Sequence, residues 1–453
     1  MMDLKNKRVL VVGLGKSGLS AAMFLRAQGA RVTVSDTRSA VALAKEIPAL
    51  LEAGIMVESG GHGLLTFRRQ DLIVVSPGVP MDTPEVKQVV AFGLPVIGEL
   101  ELASRYLQGQ VVAITGSNGK TTTTTLVGKI FEDAGVPTLV GGNIGLPVIE
   151  LVAKSTEETV SVLEVSSFQL ETIEEFHPQI AVVLNITPDH LDRHGSFENY
   201  AAAKTRITER QTADDYLVLN AEDKAAQMVA LKTKAQIYWF SGRRPIKQGA
   251  FVHGESILFV AREGAKAEPV MPVSEIPLKG AHNIENVLAA VCAARLGKIS
   301  AESIRASVAA FKAVEHRLEL VKVLNEVEFY NDSKATNVDA TMKALASFPG
   351  GIHLILGGKD KDSDYSLMSE LLKERVKIVY TIGSAAEKIE RQLQGVVKIV
   401  LAETLQVAVA KAAKAATIGD VVLLSPACSS FDQFENYEQR GRVFRQLVNE
   451  LDS

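Results

Sequence analysis

The chain has 453 residues, too many for one compact core, and its 47% hydrophobic and 23% charged residues are those of a folded protein rather than a disordered one. A net charge of -4 and the lack of a long Lys/Arg run argue against a nucleic-acid partner. No run of 18 apolar residues occurs, and the short apolar stretch Val9–Val12 runs into glycines without a cleavage site, so the expected compartment is the cytoplasm and no membrane partner is expected. The two cysteines, Cys292 and Cys428, stand among apolar or small residues and read as buried thiols.

The first element is a strand, Val9–Val12, followed by Gly13-Leu14-Gly15-Lys16-Ser17-Gly18, a helix over Leu19–Gln28 and a second strand closed by Asp36. Glycines let the backbone approach a ligand, a helix N-terminus favours an anion, and an acid after the second strand can read a ribose or base. A nucleotide-containing ligand is expected, and this motif alone would suggest a dehydrogenase. A strand follows at Asp71–Ser76, and a loop-like stretch at Pro95–Glu99 marks a first boundary.

The next strand, Val111–Thr115, runs into Gly116-Ser117-Asn118-Gly119-Lys120-Thr121-Thr122 and a helix. Backbone N–H groups of such a loop cradle phosphates, Lys120 would neutralise the terminal ones, and Thr121 would offer a hydroxyl to Mg²⁺. A strict Walker loop would carry glycine where Ile114 stands, so this loop is shorter. Glu164 ends the strand Ser161–Val165 beside it, where Mg²⁺ needs an oxygen ligand. A strand is expected over Ile180–Ile186, and alternating pieces between Tyr238 and Pro277 suggest an antiparallel addition.

A second boundary is expected near Ala313–His316, with strands beyond it at Ile352–Leu356, Lys377–Ile382 and Val421–Ser425. Apolar runs alternating with helical patterns predict parallel sheets covered on both faces. The expectation is three α/β domains: a Rossmann-like domain over 1–98, a central phosphate-loop domain with a small antiparallel addition over 99–313, and a Rossmann-like C-terminal domain over 314–453.

The loop Thr115–Thr122 resembles the ATP loop of the Mur ligases and the related folylpolyglutamate synthetases. Further segments match in order: Leu163–Leu170, Asn185–Asp192, Tyr200–Lys204, Gly280–Asn283, His316-Arg317, Asn331–Asn337 and Ser425–Asp432. The last of these narrow the resemblance to the member that adds D-glutamate to UDP-N-acetylmuramoyl-L-alanine. The resemblance implies ATP and Mg²⁺ as cofactors, small-molecule substrates, an acyl-phosphate route and action as a monomer.

Carried over residue by residue, it makes His190 a ligand of a second metal ion, although Mg²⁺ prefers oxygen. It makes Lys204 a carbamylated lysine that helps hold Mg²⁺, where composition alone reads a solvated lysine in an Ala-rich helix. Gly15, Ser17, Asp36, Thr37, Arg38, Ser76 and Gly78 would hold the UDP group, and Asn143 the muramyl substrate. Asn283, Arg317 and Asp332 would contact ATP, with Lys334 and Thr336 in the same strand-end loop. Lys361, or its neighbour Lys359, would pair with a carboxylate of the incoming amino acid, and Ser430, Phe431 and Tyr437 would complete its pocket.

Overall fold

A computed structural model describes residues 2–278, 280–312 and 315–451. The first apolar runs build a five-stranded parallel sheet from β1 (Arg8–Val12), β2 (Arg31–Asp36), β3 (Met56–Ser59), β4 (Leu72–Val75) and β5 (Val96–Gly98), in the order β3-β2-β1-β4-β5. Helices cover both faces, which is why all four residues of β4 are buried. The stretch expected as a boundary loop at Pro95–Glu99 is instead strand β5, whose three residues are too short to show a period.

The central sheet has nine strands: β6 (Gln110–Thr115), β7 (Thr138–Gly142), β8 (Val160–Glu164), β9 (Ile180–Val183), β10 (Tyr216–Asn220), β11 (Gln236–Ser241), β12 (Gly249–His253), β13 (Ser256–Val260) and β14 (Glu268–Pro272). Their order is β14-β13-β12-β11-β10-β9-β6-β8-β7. The antiparallel addition is present as β12 to β14, but β11 and β12 pair in parallel, so it extends the main sheet rather than standing apart. The helix Ala281–Leu296 packs on this sheet with nine consecutive residues, Asn286 to Ala294, buried, as a helix apolar all round must.

The third sheet contains β15 (Glu319–Leu324), β16 (Val327–Asn331), β17 (Ile352–Gly357), β18 (Val376–Ile382), β19 (Lys398–Glu403) and β20 (Val421–Leu424), ordered β15-β16-β20-β17-β18-β19. It is parallel except for the edge strand β15. The boundary expected between residues 313 and 314 lies outside the described residues. Cys292 and Cys428 are both free and buried. Among the described residues no helix is long and apolar enough to cross a membrane.

One apolar cluster runs from Val9, Val11 and Val34 of the first sheet, through Leu100 and Leu102, to Leu163 and Val183 of the central one. The helix Glu99–Ser104 reinforces this joint with two buried acids. Glu101 accepts the backbone N–H groups of Glu174, Glu175 and Phe176 at 2.8, 3.0 and 3.0 Å. Glu99 accepts from Ile149 N at 2.7 Å, while its other oxygen has no hydrogen-bond partner among the described residues. The C-terminal sheet has apolar clusters of its own.

Burial pushes the Glu99 carboxyl up from 4.5 to about 7. An acid whose folded-state pKa is raised costs nothing below its unfolded value and costs the full penalty above its folded one. Glu99→Gln keeps the acceptor for Ile149 without the charge. It should therefore match the wild type in thermal unfolding near pH 4.5 and be more stable, by up to about 3 kcal/mol, above pH 7. A variant less stable than the wild type at pH 8 would contradict this account.

Candidate active site

In parallel α/β sheets ligands bind beyond the carboxyl ends of the strands, and the loops after β1, β6 and β16 converge there. The loop after β6 turns through Gly119, which has a positive φ of 87° and caps the helix Lys120–Asp133. A Cβ at Gly119 would lie 2.2 Å from Asn286 Oδ1, so only glycine fits. Asn185 clamps the loop on both sides, accepting from Asn118 N at 2.8 Å and donating to Asn118 O at 3.0 Å. Ser117 Oγ donates to Thr187 O at 2.8 Å and meets Tyr200 Oη at 2.9 Å.

Two lysines share one carbonyl of this loop. Lys120 Nζ donates to Gly116 O at 2.8 Å and Ser117 O at 2.9 Å, and Lys204 Nζ donates to the same Gly116 O at 2.8 Å. Lys204 is 1% exposed and lies 4.8 Å over the Tyr200 ring, so the solvated-helix reading of its composition is wrong. Burial, and then the neighbouring Lys120 charge, hold its amine well below the ordinary lysine range. Burial also lowers Lys120.

At the end of β8, Glu164 is buried and its two oxygens are used separately. Oε2 accepts from Thr121 Oγ1 and Oε1 from Asn143 Nδ2, both at 2.7 Å. His190 begins a short helix in the left-handed region, at φ 53°, with its ring edge against Phe168. Burial lowers it to about 3, so the imidazole is neutral at physiological pH and has a lone pair to offer. Its neighbour Asp189 is held at about 2, against the cost of burial, by Lys361 and His190.

The donor set fits a divalent cation in its oxygen part: the Thr121 hydroxyl and the Glu164 carboxylate face one cavity together with His190. Lys204 could add an oxygen only if its amine were converted to a carbamate. Among the described residues no group of three or more His, Cys, Asp and Glu is spaced to hold a metal ion by itself.

The C-terminal sheet closes over this cavity of about 620 Å³. Lys334 Nζ donates to Thr121 Oγ1 at 2.5 Å, Asn337 Nδ2 to Asp189 Oδ2 at 2.9 Å, and Lys361 Nζ to Asp189 Oδ1 at 3.2 Å. Lys334 is lowered to about 7 by burial and by Arg317. Thr336, Tyr437 and Arg317 also line the cavity. Arg317 Nε is buried with no hydrogen-bond partner among the described residues. An adjoining pocket is lined by Asn118, His282, Asn286, Arg317, Asp332 and Lys343. Asp332 accepts from Ser425 Oγ at 2.9 Å, and burial pushes its carboxyl up to about 7.

A second cleft, of about 500 Å³, lies between the first two sheets and meets the central cavity at Lys16, Asn143 and Gly145. Gly15, Ser17, Asp36, Thr37, Arg38, Ser76 and Gly78 all line it. Three of these are already engaged by the fold. Asp36 accepts from Leu14 N at 2.7 Å and pairs with Arg38, and Ser76 Oγ donates to Gly13 O at 2.7 Å.

Some expected residues lie elsewhere. Asn283 does not line the pocket of Asn286, whose Nδ2 donates to Asn283 Oδ1 at 3.0 Å. Lys359 is exposed, whereas Lys361 is tied to Asp189 at the cavity wall, although neither lysine lines the cavity itself. Ser430 is buried outside the cavity, and Phe431 is 67% exposed, because the chain turns as Gln433 N and Phe434 N donate to Ser430 O. Sequence reasoning missed Lys16, Asp189, Asn286 and Asn337. Asp189, Asn337 and Lys16 all stood inside segments already picked out, Lys16 at a position of its glycine loop where the motif demands no particular residue.

Three family models match along the chain: the Mur ligase MurD-like N-terminal domain over residues 7–98, the Mur ligase middle domain over 114–294 and the Mur ligase glutamate ligase domain over 316–428. The chain is 68% identical to the UDP-N-acetylmuramoylalanine--D-glutamate ligase of Acidobacterium capsulatum, over 99% of this chain and 97% of that one. It is 58% identical to the protein of the same name from Koribacter versatilis, over 99% of both. Among solved structures, MurF ligase from Thermotoga maritima in complex with ADP shares the fold at a TM-score of 0.59 and 17% identity, over 99% of this chain and 100% of that one. The chain belongs to the Mur ligase family, whose members are ATP-dependent ligases.

Proposed function

We propose that this protein joins D-glutamate to UDP-N-acetylmuramoyl-L-alanine at the cost of ATP, in the synthesis of peptidoglycan precursor. Residues 1–98 hold the UDP group, 99–313 bind ATP and 314–453 deliver the amino acid. The observation that carries this reading is the meeting of Lys120, Glu164 and Lys334, contributed by the central and C-terminal sheets, in one cavity that opens through Asn143 into the glycine-rich cleft, with Lys361 tied to Asp189 of the cavity wall. The curated relatives' names support the choice of D-glutamate.

The alanyl carboxylate attacks the γ-phosphorus of ATP, forming an acyl phosphate and releasing ADP; the amine of D-glutamate then attacks the acyl carbon and phosphate leaves. Lys120 and Arg317 offset charge on the transferring phosphoryl group. Asn143 orients the muramyl carboxylate, and Lys361, released from Asp189, takes a carboxylate of D-glutamate with Lys334, Thr336 and Tyr437 around it. Asp332 and the pocket of Asn286 hold the nucleoside. Mg²⁺, held by Thr121, Glu164, His190 and a carbamylated Lys204, would lower the electrostatic cost of bringing two anions together. The protein acts as a monomer in the cytoplasm. ADP should appear only when ATP, the UDP-muramoyl substrate and D-glutamate are all present; equal turnover with L-glutamate or L-alanine would contradict the assignment.

A further inference from the structure

Asn118, at the apex of the phosphate loop, is held differently on its two sides. Its backbone N–H and C=O are both tied to Asn185 within the central sheet's own layer. Its side chain instead crosses to the C-terminal domain, where Nδ2 donates to Asp339 Oδ2 at 2.6 Å and Oδ1 accepts from Asn337 Nδ2 at 3.3 Å. Asp339 stands in the first turn of the helix Val338–Ala346, which Asn337 caps by accepting from Ala340 N at 2.8 Å. The same Oδ2 also accepts from Thr187 Oγ1 at 3.2 Å and from Lys343 Nζ at 2.8 Å. One carboxylate oxygen of the C-terminal domain thus gathers two groups of the central domain and one lysine of its own helix.

We propose that Asp339 is a positioning residue for phosphoryl transfer: docked by closure of the C-terminal domain, it fixes the Asn118 side chain and through it the phosphate loop. The proposal rests on the reading of that loop as the ATP site. Asp339 lines neither of the two cavities that Asn118 lines, so it acts through Asn118 and not on a substrate. A bare carboxylate beside a phosphate loop would repel a polyanion, and the Lys343 ammonium removes that penalty while leaving the acceptor in place. Gly119 and Lys120 follow Asn118 directly, so a displaced Asn118 shifts the residues that meet the phosphates. The contact exists only when the two domains are together, which ties loop geometry to closure.

The test is a double-variant series in the full-length enzyme, read by ADP release with all three substrates. Asp339→Ala should lower kcat about tenfold, the scale of one hydrogen bond to a charged and partly exposed group, and leave KM for the UDP-muramoyl substrate unchanged. Asp339→Asn, which keeps an acceptor oxygen, should recover most of the rate. In an Asn118→Ala background Asp339→Ala should add no further loss. The unfolding midpoint of each variant should stay at the wild-type value. Wild-type kcat in Asp339→Ala, losses that multiply in the double variant, or a raised KM for the UDP-muramoyl substrate would each overturn the proposal. A wild-type enzyme that releases no ADP with the three substrates would instead overturn the functional reading on which it rests.

Discussion

Lys204→Ala is expected to lower ligation by about 10³-fold or more, and small carboxylates such as acetate or formate should restore part of the activity, because in the proposed function what is lost is an anionic oxygen in the metal site and not an ammonium. The physical case begins with burial. Lys204 is enclosed beside Lys120, with Gly116 O and the Tyr200 ring as neighbours, and no carboxylate is within hydrogen-bond distance of it among the described residues. That environment favours the neutral amine, the form that attacks CO₂: the nitrogen bonds to carbon, a C–O π bond opens, one proton leaves the nitrogen, and a neutral group becomes an anion. A carbamate there would place an anion beside the Lys120 ammonium. The wild type should carry a mass increment of one CO₂ in bicarbonate-equilibrated solution and lose activity when CO₂ is depleted at mildly acidic pH. Wild-type turnover in Lys204→Ala, or an unmodified lysine in fully active enzyme, would return Lys204 to a structural role.

Lys120→Ala should cost on the order of 10² to 10³ in kcat, the scale measured for removing one preorganised charge-stabilising donor. The ammonium sits on Gly116 O and Ser117 O, so it is already placed at the loop and needs little reorganisation to meet phosphate oxygens. The loss should fall on kcat more than on KM for the UDP-muramoyl substrate, because the cleft proposed for that ligand is lined by other residues. A loss below about threefold would mean that the loop does not stabilise transferring phosphate.

Much of this arrangement was legible in the sequence because it is local. All eight apolar runs form strands, and both glycine-rich loops stand where their strands end. What escaped detection was short or long-range. Strands β3, β5 and β7 have three to five residues, too few for a period to show. Lys204 was misjudged from composition, yet helical spacing places it on one stripe with Tyr200, Ala203 and Ile207, all buried, and that stripe was the available signal. Asn286 and Asn283 are one turn apart, and only the packing of the helix on Gly119 decides which reaches the pocket. Phe431 shows the opposite failure, since an aromatic in a resembling segment was taken for a pocket wall and instead faces solvent. Asp339 could not be found from its neighbours in sequence, because its significance lies in contacts with Asn118 and Thr187 across a domain boundary.

The central claim is that three ligands meet in one cavity and that the amino acid joined is D-glutamate. The most direct measurement is mass analysis of the UDP-linked product after incubation with ATP, Mg²⁺, UDP-N-acetylmuramoyl-L-alanine and an equimolar mixture of isotopically distinguished D- and L-glutamate. The account predicts a product heavier by one D-glutamyl residue, formed together with one ADP. Incorporation of the L-isomer to the same extent, or ADP release without any glutamyl product, would contradict it.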